Sequence, residues 1–513
     1  MSAGASFSGT TSPSFRRTGT PSEPKIPQAL WPACGRTSRL HPETVDTDTQ
    51  LEIRTPLEAL EAVAVRRDLS HPSTIDPATL ESLRYVLSFA KLTVVRNEAG
   101  VDIEVADRLA PHRWRVLEAL KPHLSDGGEG LHDAARALAP LIEGTKRERS
   151  RLLEASTIDT ESLEAEVTTR QLVVVSGGGG GSGYGYTGGY TLLNRHGLQP
   201  ELVAGTSMGA LLGVFRARTR HFDLAPMVAA AERLSWQKVF RVLDTDSRYG
   251  VPATLRLYLR AAIGHLFQRP DGTPMTLADL ELPMLVVATG ITVEGLKHDL
   301  DYYEHFLDDF TGPGQVFRRS RLARIGRVAG IFKEMISTPE ALREIVFGAS
   351  MATREADVID TIGFSSAIPG LIHYDIYRED ERMLRLLDAL YGQTGITRLL
   401  EGGIVNNLPC RPAYDEVMQG RIGRRNPFVF AMDSFAPRAR NLTLLPVQQL
   451  VRPNVLRNLP YAHHVFSMKR RLNPLNLVPK MPDITKAMGW TIEELEPEMP
   501  FIQRMCAPIQ ALE

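Results

Sequence analysis

From Leu57 to about Glu166 the apolar residues recur three and four positions apart, as in LESLRYVLSFAKL and HRWRVLEALKPHL, and the pattern breaks at SDGGEG, Ser125–Gly130. That spacing lays one apolar stripe along each helix, which must be buried against another element. It predicts a helical accessory region over 51–166. At Gln171 the pattern changes. QLVVV, ELVAG, MLVVATG and FVFAMDS are apolar throughout instead of alternating, as suits strands covered on both faces, and helical stretches separate them. An α/β domain is therefore expected over 167–435, a sheet flanked by helices. Within it, residues 299–359 read as a mostly helical insertion. Residues 436–513 read as a helical or irregular extension packed on that domain. Residues 1–50 are rich in Ser, Thr, Pro and Gly with few large apolar groups, too little to offset the entropy of ordering, and read as a disordered tail.

Composition changes this picture mainly by exclusion. Of the 513 residues, 43% are hydrophobic, enough for a large core, and 59 Lys+Arg against 60 Asp+Glu leave a net charge of -1. Such a balance sets up no general field for nucleic acid, so no nucleic-acid partner is expected. Cys34, Cys410 and Cys506 are scattered and form no CxxC pair, so neither a disulfide framework nor a zinc site is indicated. The N-terminus lacks the apolar stretch of a signal peptide, and no run of about 18 apolar residues occurs anywhere. A cytoplasmic protein, peripheral at membranes, is the expectation.

The chemistry concentrates after the first strand, in VVVSGGGGGSGYGYTGGY. Gly178, Gly180 and Gly183 satisfy GxGxxG, and so do Gly183, Gly185 and Gly188. A dinucleotide site would want an acidic residue at the end of the next strand, but Glu201 precedes the apolar stretch LVAG. A phosphate-binding loop of Walker type needs a lysine after its glycines, and none occurs from Gln171 to Arg216. ELVAGTSMGALLGVF is more informative, because it sets Gly205-Thr206-Ser207-Met208-Gly209 between a strand and a helix. This is the context of a nucleophile elbow, in which small residues at 205 and 209 let the chain turn sharply beneath an exposed serine. Ser207 is the candidate nucleophile. Gly178, Gly179, Gly180, Gly181 and Gly183 are the candidate oxyanion hole, since backbone without Cβ can bring N–H donors close to developing charge. The second glycine frame is expected to open the crossover helix.

A base is less obvious. His463 and His464, in LPYAHHVFSMKRR, follow no recognisable strand-to-loop junction, whereas Glu401 in RLLEGGIVNNLPCRPAY ends an apolar stretch at two glycines. At these residues the chain resembles the patatin-like phospholipase family, over about Gln171–Asp433. GGGGSG at 178–183 is similar to its glycine loop and GTSMG at 205–209 to its elbow, and SSAIPGL at 365–371 and GGIVNNLP at 402–409 to two further stretches. The resemblance implies a mixed α/β sheet and a Ser–Asp dyad that hydrolyses acyl esters of lipids without histidine, metal or organic cofactor. Carried over, Ser207 is the nucleophile and position 401 the general base, followed by Gly402 and Gly403. Two residues depart from the pattern: Glu401 stands where the family has Asp, and Ser182 where it commonly has Arg or Lys. A catalytically weak protein that binds lipid or serves as a scaffold is the alternative.

A lipid substrate implies a membrane-contacting surface. Val316–Lys333 carries Arg318, Arg319, Arg321, Arg324, Arg327 and Lys333 among apolar residues, although Arg321 and Arg324 fall on the apolar side of a helical wheel. Ser467–Lys480 is a second basic stretch. The N-terminal helical region is the candidate surface for a protein partner or self-association.

Overall fold

The computed structural model describes residues 46–292, 339–437 and 445–512, apart from 126, 127, 129, 234, 243–247 and 252. The expected tail up to residue 45, Cys34, most of the expected insertion and the basic stretch Val316–Lys333 lie outside the described residues.

Helix α1 (Thr47–Ser70) starts before the expected end of the tail, because the Asp46 carboxylate accepts the Asp48 N–H at 3.2 Å and so caps its first turn. Helix α2 (Pro77–Ala90) is capped by Asp76 and carries proline at its first position, where no N–H is needed. A hairpin that the periodicity does not announce follows, β1 (Val94–Arg96) against β2 (Asp102–Glu104), turning through Gly100 at φ +76°. Helices α3 (Ala106–Leu124), α4 (Leu131–Arg136), α5 (Leu138–Ala155) and α6 (Thr160–Thr168) complete the region, with SDGGEG as the break between α3 and α4.

The helical region meets the rest of the chain across buried charge. Arg84 Nε lies 3.3 Å from Glu61 Oε1, Arg170 pairs with Glu61 Oε2, and Arg54 Nη2 lies 2.9 Å from Glu58. Lys91 Nζ stands 3.7 Å from Glu58 and 3.8 Å from Glu61. Burial alone would raise the Glu61 pKa; the charges of Arg170, Lys91 and Arg84 outweigh it and hold it at about 2.

Beyond this junction come β3 (Gln171–Ser176), helix α7 (Tyr186–Arg195), β4 (Leu202–Thr206) and helix α8 (Met208–Ala217). Then follow β5 (Phe240–Val242), β6 (Ala253–Leu257), β7 (Met284–Thr292), β8 (Leu342–Phe347), β9 (Gly370–His373), β10 (Ile396–Leu400), β11 (Pro427–Asp433) and β12 (His464–Ser467). The main seven-stranded sheet runs β10-β7-β4-β3-β11-β12, with β8 also along β7. β7, β4, β3, β11 and β12 are parallel, while β8 and β10 run antiparallel to β7, so the sheet is mixed. β5, β6 and β9 form a separate small sheet.

The unbroken apolar runs have a direct cause. Leu172, Val174 and Val203 face one core cluster and Val173, Val175, Leu202 and Ala204 the other, so successive side chains are buried on opposite faces. Two expectations are corrected. The described end of the insertion is not all helical, since LREIVF forms β8 ahead of the helix Met351–Arg354. The C-terminal extension is not only helical or irregular, since HVFS adds β12 to the main sheet. β12 is only four residues long, too short for a period to show. No helix among the described residues is long and apolar enough to cross a membrane.

Candidate active site

β4 ends at Thr206 and α8 begins at Met208, leaving Ser207 alone in the turn at φ 53°, ψ −121°. Positive φ in a residue with a side chain stores roughly 1–3 kcal/mol and persists only where the surroundings impose it. Here they do. A Cβ on Gly205 would lie 2.6 Å from Ala210 N, and one on Gly209 would strike the carbonyl oxygens of Ser176 and Gly177. The Ser207 N–H donates to Ser365 Oγ at 2.8 Å, and that hydroxyl donates onward to Val287 O at 2.6 Å. Gly209→Ala is therefore expected to push α8 off β3 and cost at least about 3 kcal/mol, because a backbone carbonyl cannot swing aside as a side chain can. Thermal unfolding checks this; an unchanged midpoint would refute the tight contact.

The glycine loop lies under the same turn: a Cβ on Gly178 would stand 3.4 Å from Ser207 Cβ. Not all of its amides are available. Gly178 N–H donates to Asn407 O at 3.0 Å and Gly181 N–H to Pro474 O at 2.8 Å, while Gly183 leaves room for Met208, whose Cγ would be 2.6 Å from a Cβ there. Among the described residues Gly179 and Gly180 N–H have no acceptor, and Gly180 holds φ +53°. Of the five glycines expected as donors, Gly178 and Gly181 are thus committed elsewhere, while Gly179 and Gly180 are not.

The tyrosines set among the later glycines are braces. Tyr186 OH donates to Ser434 Oγ at 2.8 Å, Tyr190 OH lies 2.7 Å from Ser176 Oγ, and both rings are fully buried. Gly188 lies in α7, where a Cβ would be 2.5 Å from Met488 O, so the second glycine frame serves close helix packing. Ser182 Oγ lies 2.7 Å from Gly179 O and 3.0 Å from Ser434 O. Arg471 Nη1 donates to that same Ser434 carbonyl at 2.5 Å. A guanidinium from the C-terminal extension thus braces the loop where the resemblance would have put a cation at 182.

Glu401 follows β10 directly. Its N–H donates to Ala367 O at 2.9 Å and its carbonyl accepts from Thr289 Oγ1 at 2.7 Å, fixing the backbone from both sides. Gly402 is required because a Cβ would meet Val287 O, and a Cβ on Gly403 would lie 3.2 Å from Glu401 Oε1. The carboxyl is 7% exposed; Oε1 accepts from Gly403 N–H at 3.4 Å, and Oε2 is buried without a well-formed hydrogen bond. Burial pushes its pKa up to about 8, opposed by the Ser207 side chain and the Gly403 N–H. Ser207 and Glu401, 194 positions apart in number, thereby become neighbours, and SSAIPGL joins them: Ser365 holds the first and Ala367 the second.

A cavity of about 90 Å³ opens at Ser207 and Gly180. Its walls are almost wholly apolar, among them Leu211, Phe215, Val239, Leu257, Ile372 and Val478. The two histidines stay away from it: His463 Nδ1 accepts from Val429 N–H at 3.0 Å, and His464 Nε2 lies 2.5 Å from Glu498. Cys410 is buried, and burial raises its thiol pKa far above the usual range. Among the described residues no three His, Cys, Asp or Glu side chains gather as metal ligands would. Asn407 escaped the sequence reading; its carbonyl takes Gly178 N–H, and its side-chain Oδ1 would be 2.8 Å from a Cβ on Gly403, so it ties the glycine loop to the Glu401 loop. The adjacent NN in GGIVNNLP was its only trace.

Residues 173–414 match the family model described as Patatin-like phospholipase, a span that includes the glycine loop, Ser207 and Glu401. No curated protein matches the chain. The family's activity, in broad terms, is lipid acyl hydrolysis, and its α/β fold is the one seen here. With the matching segment, the mixed sheet and the serine turn in agreement, the chain carries a patatin-like phospholipase domain.

Proposed function

We propose that this domain is a serine lipid acyl hydrolase working through Ser207 and Glu401. The observation that carries the reading is a buried carboxyl with one oxygen lacking a good hydrogen bond, set beside a serine held at positive φ. Unsatisfied buried oxygens and strained turns are costly, and both together favour a catalytic use. In the cycle, ionised Glu401 accepts the Ser207 proton as Oγ attacks the ester carbonyl, and the oxyanion is met by the free amides of Gly179 and Gly180 and the N-terminal end of α8. The alcohol or lysolipid leaves with that proton. Water, deprotonated by the same carboxylate, then cleaves the acyl-enzyme and frees the fatty acid. The apolar cavity receives the acyl chain.

The substrate places the domain peripherally at lipid surfaces. Of the basic residues in Ser467–Lys480, Arg470 pairs with Glu493 and Glu494 and Arg471 with main-chain carbonyls, so these two serve the fold first and a membrane second. A fluorophosphonate probe is expected to label the wild-type protein and not Ser207→Ala, and only the wild type should release fatty acid from phospholipid vesicles. Equal release by both would refute the hydrolase and leave the lipid-binding or scaffold role.

A further inference from the structure

The chain beyond residue 414 lies outside the family match, yet it grips both loops of the site. The helix Leu445–Asn458 packs Leu450 against the cluster of Ile291, Leu400 and Ile404. One turn on, Asn454 is 3% exposed. Its Nδ2 donates to Gly403 O at 2.9 Å and to Ile404 O at 3.0 Å, and its Oδ1 accepts Asn407 N–H at 3.0 Å. Both amide hydrogens and the oxygen are therefore spent on three residues of the Glu401 loop. A further turn on, Asn458 Oδ1 accepts from Asn406 Nδ2 at 3.2 Å and from Arg411 N–H at 3.0 Å, while its Nδ2 donates to Asn454 O at 2.9 Å. The segment after β12 does the same for the other loop: Pro474 O takes Gly181 N–H, and Leu477 O accepts from Tyr184 OH at 3.1 Å.

We infer that Asn454 is a positioning residue for Glu401, and that the C-terminal extension through it completes the active site. This rests on the Ser207–Glu401 reading. The physical route is short. Gly403 N–H touches the Glu401 carboxyl, and Asn407 O holds Gly178 beneath Ser207, so a clamp on 403–407 sets the spacing of acid, alcohol and glycine loop together. Released, the loop would admit water to the carboxyl and let it drift, and displacement by about 1 Å costs on the order of 100-fold in rate.

Asn454→Ala is accordingly expected to lower kcat about 100-fold with KM little changed. The inflection of its kcat/KM profile should also fall from near 8 toward the ordinary carboxylate range as the group becomes hydrated. Leu456→Ser, at an exposed position on the same helix, should change neither. If Asn454→Ala does not fold, Asn454→Asp keeps the size and the acceptor while losing both donors, and the same two readouts apply. Wild-type kcat and an unmoved inflection in the folded variant would overturn the inference. If wild type and Ser207→Ala prove equally inactive, the Ser207–Glu401 reading falls instead, and hydrogen exchange decides the clamp. Faster exchange over 401–409 in the variant supports it, and unchanged exchange there overturns it.

Discussion

Replacing Glu401 with glutamine is expected to abolish turnover and at the same time to stabilise the protein at alkaline pH. Glutamine keeps the shape of the side chain but cannot take the Ser207 proton, and removal of a general base of this kind costs on the order of 10⁴-fold or more in kcat. The stability effect has the opposite sign because the native site holds this carboxyl in a place that disfavours its charge. Its pKa is raised from 4.5 to about 8, with burial as the leading cause. The folded state therefore binds the proton more tightly than the unfolded chain. That contribution is complete below pH 4.5 and is lost as pH climbs to about 8. A non-titrating glutamine escapes the loss, so the variant's advantage should be small in acid and grow to on the order of 5 kcal/mol at alkaline pH. Urea unfolding of both proteins across this range measures it. In the proposed cycle the same ionisation would govern the wild-type rate: kcat/KM should rise about tenfold per pH unit below the inflection and level off above it. A rate that is flat from weak acid to weak base would show that Glu401 is not the base.

The second large effect is on folding, at the junction of the helical region with the sheet. Glu61 is fully buried and is the shared partner of Arg84, Arg170 and Lys91. Glu61→Gln removes the carboxylate shared by these three cations, leaving Lys91 only Glu58 and Arg84 only Glu81, and breaking a buried pair from one side costs about 3–5 kcal/mol. In a chain of this size that corresponds to roughly 3–5 °C in the thermal midpoint. The pH dependence runs opposite to that of Glu401. The Glu61 pKa is depressed from 4.5 to about 2, so its contribution is present above 4.5 and lost as pH falls through about 2. The gap between wild type and Glu61→Gln should narrow over that acid window. Adding Lys91→Met should recover part of the loss at neutral pH, since burial and the nearby Arg170 already depress the Lys91 pKa and removing it takes away one of the crowded cations. A double variant no more stable than the single would show that Lys91 is not coupled to Glu61.

The two carboxylates also show what can be read from a string of residues and what cannot. Glu401 was legible because it closes an apolar run against two glycines, a local arrangement with a local cause: the turn has no room for Cβ. Glu61 was not. On its helix it is one acidic residue among several, and only Arg84 and Arg170, brought alongside by the packing of α2 and the start of β3, turn it into a buried anchor. The same contrast separates Ser207 from Asn454. The serine stands between obligatory small residues, while the asparagine has no neighbouring signal, its partners Gly403 and Ile404 lying 51 and 50 positions earlier.

What the sequence determined alone was therefore whatever the backbone demands within a few residues. It marked the four doubly covered strands β3, β4, β7 and β11, whose side chains must be apolar on both faces, the glycines at 205 and 209 that let a serine stand at positive φ, and the carboxyl that follows β10. Tertiary structure decided the rest: the strands β8, β10 and β12, the commitment of Gly178 and Gly181 N–H to distant carbonyls, the elevated pKa of Glu401, and the grip of the C-terminal extension on both loops. Each of these depends on which groups exclude water from, or donate hydrogen bonds to, a residue far away along the chain. Burial and hydrogen-bond partnership are properties of the packed chain, set by neighbours in space, and no local pattern encodes them.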